Sequence, residues 1–89
     1  MGDVAARIES KLQKAFTPST LSVVDDSHLH ADHAGARPGG QSHFTVEITA
    51  SRFDGLTRVA RHRLVNEALT EELAGPVHAL VIRARASTE

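Results

Sequence analysis

The sequence predicts an α+β domain: a three-stranded mixed sheet with helices on one face, in the order α-β-β-α-α-β. Three observations predict it. A helix-period stretch opens the chain, two short β-prone runs follow in succession, and a second helix-period stretch separates the later run from a third apolar one.

The opening stretch has Val4, Ala5, Ile8, Leu12, Ala15 and Phe16 at helical spacing, with Arg7, Glu9, Lys11 and Lys14 on the other face. It reads as an amphipathic helix over 3–16, with Asp3 as N-cap and Thr17-Pro18 as its stop. Residues 20–26 follow as a short strand with Leu21 and Val23 on one face. Residues 43–50 alternate cleanly, Phe44, Val46, Ile48 and Ala50 one way and Thr45, Glu47 and Thr49 the other, as a half-buried strand does. Sequential neighbours of this kind are expected to pair antiparallel. Ser51–Gly55 turns the chain, with room for one short helical piece. A long helix is then expected from about Thr57 to Leu73, striped by Leu64, Val65, Ala68, Leu69 and Leu73 and closed by Gly75 as a left-handed cap before Pro76. The last run, 77–85, is more apolar than the second strand and is expected to be the more covered one. A strand–helix–strand connection of this length favours a right-handed crossover, so the third strand should lie parallel to the second.

An 89-residue chain with 40% hydrophobic residues supports one small domain, read as residues 1–89 with its core over about 4–85. Three Phe and no Tyr or Trp leave the core to aliphatic side chains. With no cysteine, disulfides, thiol redox work and metal sites built from this chain's own thiolates are excluded. A net charge of −1 provides no whole-molecule attraction for nucleic acid or membranes. No basic, apolar leader or spanning run opens the chain, and Ala6 stands where a myristoylation signal needs Ser or Thr, so a cytoplasmic protein is expected.

Ser27–His43 is where chemistry is expected first. It is a Gly-, Pro- and polar-rich loop between two strands and holds four of the six histidines. His28, His30 and His33 put three imidazoles within six residues, a pattern that suits a metal site and equally a solvated loop. His43 opens a strand at the rim of the loop and is expected to be structural. His78 opens another strand after a Gly-Pro turn, where a side chain is held rigidly yet reaches solvent; it reads as a ligand or as a half-buried histidine bonded to a carbonyl. Whether it nears the loop depends on a strand register that the sequence leaves open.

Arg58, Arg61, His62 and Arg63 gather in the first half of the long helix, while Glu67, Glu71 and Glu72 occupy the second. The helix dipole prefers the reverse, by a few tenths of a kcal/mol per charge. Such a consistent violation suggests a surface that grips an anion or docks an acidic partner, against the alternative of a merely solvated face. No nucleophile elbow, phosphate loop or paired carboxylates can be placed, so the protein is not expected to be an enzyme.

Several separated motifs, in order, resemble the BolA family. They are Asp25–His33, Ser42-His43-Phe44, Ser51-Arg52-Phe53-Asp54-Gly55, Arg61–Asn66 and Val77-His78-Ala79-Leu80. The likeness runs over roughly residues 4–85 and is to the bacterial type with a histidine-containing loop. It implies the BolA fold, similar to a class II KH domain, in the element order already read.

The resemblance also implies two activities. One is a heterodimer with a monothiol (CGFS) glutaredoxin that shares a [2Fe–2S] cluster in iron–sulfur and iron homeostasis. The ligands on this side would be His78 and a loop histidine, His33 or His30, and the isolated chain, a monomer or weak homodimer, would bind no cluster. The other is DNA binding and transcriptional regulation through the helix-turn-helix-like region, with Arg52, Arg58, Arg61, His62 and Arg63 as contacts and Arg83 and Arg85 flanking them. Gly55 is followed by Leu56-Thr57-Arg58, so the G-x-x-G loop of RNA-gripping KH domains is absent. A zinc module made by the loop alone is the third reading.

Overall fold

The computed structural model describes residues 3–26 and 43–88, so His28, His30 and His33 lie outside the described residues. Helix α1 spans Asp3–Phe16 and buries Val4, Ala5, Ile8, Leu12 and Phe16, the stripe read from the sequence less Ala15. Asp3 lies within its first turn, where a carboxylate suits the dipole.

Strand β1 (Thr20–Asp25) pairs antiparallel with β2 (His43–Ala50), and β3 (Ala79–Ala86) pairs parallel with β2, giving the sheet order β1-β2-β3. β2 is therefore central. Phe44, Val46, Ile48 and Ala50 are fully buried, while Glu47 is exposed. α1 packs over β1 and α2 over β3, so the helices share one face of the sheet. Phe53 ends a short 3-10 turn, Ser51–Phe53, and packs on Phe16 with ring centroids 5.0 Å apart, tying that turn to the end of α1.

The structure corrects three expectations. The apolar third strand is not the more covered one. It is an edge strand whose Val81 is 51% exposed, because Leu80, Ile82 and Ala84 face the helices while Val81, Arg83 and Arg85 face out.

The long helix is two helices, α2 (Arg58–Ala68) and α3 (Thr70–Ala74), broken at Leu69 (φ −109°, ψ 23°). The Thr70 hydroxyl donates to the Glu67 carbonyl at 2.8 Å, and the Leu69 N–H is shared between the Val65 and Asn66 carbonyls. Local side-chain bonding of this kind competes with the regular ladder. Glu71 and Glu72 consequently stand in the first turn of α3, where the dipole favours them.

Gly75 is not left-handed (φ −114°). Its need for glycine comes instead from close approach, since a Cβ there would lie 3.3 Å from the Glu71 carbonyl oxygen.

The charged face of α1 is tied to α3. Glu72 is wholly buried; Arg7 Nη2 donates to its Oε2 at 2.9 Å, and Lys11 Nζ donates to its Oε1 at 2.9 Å and lies 2.8 Å from Oε2. A buried carboxylate is tolerated only when partnered in this way. Burial pushes the Glu72 carboxyl up, but the Lys11 hydrogen bond, a backbone N–H and the charges of Lys11 and Arg7 together hold it below its ordinary value. The Glu72 hydrogen bond likewise raises the Lys11 ammonium, against a smaller opposing effect of burial.

A carboxyl more acidic in the folded than in the unfolded chain stabilises above about pH 4.3, and the contribution is lost as pH falls through the folded value. Glu72→Gln should therefore cost about 2 kcal/mol at neutral pH. It should also flatten the loss of urea stability as the carboxylate range is crossed from above. An acid limb identical to that of the parent would show that Glu72 is not its source.

Candidate functional site

The β2–β3 register sets the site. His43 lies opposite Ala79, so His78, one residue earlier, comes up against His43. Their ring centroids are 5.2 Å apart, with the ring planes inclined at 53°. Two imidazoles bound to one tetrahedral ion through nitrogens at about 2.0–2.1 Å have centroids about 5 Å apart. The pair thus has the spacing of two ligands on one metal.

Both residues are held from behind. His43 is buried, and its carbonyl accepts from the Asp26 N–H at 2.7 Å. His78 is exposed but follows the buried Val77, whose N–H donates to the Glu72 carbonyl at 2.9 Å. The clamped Glu72 therefore anchors the backbone that leads into His78. Asp26 also accepts from the Thr45 hydroxyl on the open face of the sheet. Asp26 and His43, which flank residues 27–42 in the sequence, both lie at the histidine end of the sheet.

A nitrogen-only donor pair is half a coordination sphere. Among the described residues no three His, Asp or Glu side chains are grouped to hold a metal, and the sequence contains no cysteine. The spacing suits two imidazole nitrogens on one metal ion whose remaining ligands come from elsewhere. The sequence reads His43 as structural, and it is buried; its approach to His78 comes from a cross-strand register, which no local spacing reveals.

The basic residues divide. Arg58 and His62 line an open groove of about 450 Å³ between α2 and β3, facing Arg83 and Arg85. Arg61 lines it too, but its guanidinium is engaged: Nε donates to the Leu56 carbonyl at 3.0 Å and Nη1 to the Ala84 carbonyl at 3.2 Å. It braces α2 against β3. Arg52, on the 3-10 turn, and Arg63 are exposed and do not line the groove. The Thr57 hydroxyl caps α2 by accepting from the Ala60 N–H at 3.1 Å.

Comparison with known proteins follows from this geometry. A family model described as BolA-like protein matches residues 12–89. The chain belongs to the BolA-like family. It is 49% identical over 85 residues to BolA-like protein 1 of Bos taurus, covering 96% of this chain and 60% of that protein. The chain thus spans about three fifths of the length of that relative. It is 44% identical over 82 residues to the DNA-binding transcriptional regulator BolA of Vibrio cholerae, covering 92% of this chain and 74% of the relative. Among solved structures, the BolA domain of SufE1 from Arabidopsis thaliana superposes with a TM-score of 0.89 at 38% identity, covering 99% of this chain and 96% of that one. The α+β order read from periodicity is the BolA fold.

Arg61 and Arg63 provide a direct check on the division of the basic residues. Arg61→Met should cost about 1–2 kcal/mol by abandoning two backbone carbonyls, while Arg63→Met should stay within about 0.5 kcal/mol. Equal losses in urea unfolding would contradict the bracing role.

Proposed function

We propose that this BolA-like chain is a non-enzymatic partner of a monothiol glutaredoxin and contributes histidine nitrogens to a shared [2Fe–2S] cluster. The observation that carries the reading is the His43–His78 pair at 5.2 Å on the rim of the sheet. His78 is the exposed ligand, and His43 is the second imidazole within reach among the described residues. Thiolates have to come from the partner, because the sequence has none. Histidine ligation raises the potential of such a centre above that of an all-thiolate one. Ligands that must be neutral also make the complex acid-sensitive, because protons compete with the metal for the ring nitrogens.

The test is visible circular dichroism of a cluster-loaded monothiol glutaredoxin titrated with this protein. A new spectrum saturating near one to one is expected. His78→Ala should abolish the new spectrum, and His43→Ala should alter it. A spectrum unmoved by His78→Ala would remove that residue as a ligand, and one moved by His30→Ala or His33→Ala but not by His43→Ala would place the second ligand in the loop.

DNA binding is the second reading, supported by the name of the Vibrio relative and by the groove arginines. Of the five residues nominated from sequence, only Arg58 and His62 line the groove without the double carbonyl engagement of Arg61. Few phosphate contacts imply a shallow dependence of affinity on salt, with a slope of only about three for Arg58, Arg83 and Arg85. A steep slope would require a different surface.

A further inference from the structure

The groove beside β3 lies some distance from the histidines. At about 3.3 Å per residue, Arg83 is roughly 16 Å along the strand from His78. β3 is an edge strand, and among the described residues no strand pairs with its outer side. Arg61 reaches that side from α2 to bond the Ala84 carbonyl. Backbone direction alternates along a strand, so the N–H and C=O of Ile82 face the same way, into the groove. Unpaired groups on a sheet edge are a template for an added strand.

The surroundings select the occupant. A second copy of this chain would bring Arg83 and Arg85 against their own counterparts, and like charges across strands repel. A nucleic acid would find no stacking platform, since all three Phe are buried and there is no Tyr or Trp. Carboxylates, in contrast, would meet cations on both sides. Arg83 and Arg85 stand on the open face of the sheet, and Arg58 and His62 stand on the helix side. Among the described residues Arg83 has one acidic neighbour, Glu47 at 3.5 Å and exposed, and Arg58 and Arg85 have none. Exposed Val81, in the same row as the two arginines, offers an apolar contact between charges.

We infer that the outer edge of β3 docks an extended acidic segment of a partner protein, which adds as a fourth strand beside Ile82 and sets its carboxylates against Arg58, Arg83 and Arg85. Arg61 stays on its carbonyls and frames the groove. The segment that fits has acidic residues opposite Arg83 and Arg85 and an apolar residue opposite Val81 on one face, with a further acidic residue on the other face toward Arg58.

The test uses the 15N-labelled protein and a synthetic extended peptide of about eight residues with Glu at the positions that face Arg83, Arg85 and Arg58 and Val at the position that faces Val81, with the same peptide carrying Lys in place of Glu and duplex DNA as competitors. Saturable shifts confined to residues 58–62 and 80–86 are expected, together with slowed amide exchange at Ile82. The Arg83→Glu/Arg85→Glu variant, changed only at exposed positions, should keep the parent's circular dichroism and bind at least about tenfold more weakly. Absence of saturable binding, unchanged exchange at Ile82, equal binding of the Lys peptide, or displacement by DNA at lower concentration would each overturn the proposal.

Discussion

The parallel register between β2 and β3 is the constraint on which the rest depends. It runs from His43 opposite Ala79 to Ala50 opposite Ala86. It sends Leu80, Ile82 and Ala84 toward the helices and Arg83 and Arg85 toward solvent. A slip of β3 by one residue would turn the arginines into the core and the apolar set outward, so packing fixes the register firmly. The same register brings His78 beside His43 and presents the Ala84 carbonyl to Arg61. Site and scaffold are thus set by one pairing.

The helices hold that pairing in place. α1 reaches α3 through Arg7, Lys11 and buried Glu72, and the Glu72 carbonyl in turn holds Val77, the residue before His78. Arg61 closes the other end by bracing α2 on β3. Charged groups at both ends of the third strand do structural work, and Arg58, Arg83 and Arg85 are the cations of the proposed docking edge. Two surfaces follow on one strand, with histidines at its start and cations along its outer edge.

Much of this was legible in the sequence where one periodicity decided it. The alternation in 43–50 identified the central strand, and the stripe Val4, Ala5, Ile8, Leu12 identified the buried face of α1. Composition misled at the third strand, because an apolar run does not reveal whether it is central or at an edge; the outward positions Val81, Arg83 and Arg85 mark only the open face, as Glu47 does on the central strand. The break at Leu69 lay hidden in an unbroken helical stripe, and Thr70 was its only local mark. The sequence places Glu72 only in the acidic half of a charged helix; its burial is hidden there because its partners are on α1, more than sixty residues earlier in the chain. His43 was set aside for the same reason, since its neighbour is decided by a long-range register. His30 and His33, the loop ligands suggested by family resemblance, lie outside the described residues.

The central claim is that His43 and His78 act together as nitrogen ligands. It is tested most directly by pulsed electron paramagnetic resonance of the reduced one-to-one complex, with 15N-histidine in this chain only. Two distinct strongly coupled 15N nuclei are expected, one lost in His78→Ala and the other in His43→Ala. A spectrum without strongly coupled 15N, or with both couplings intact in His43→Ala, would contradict the account.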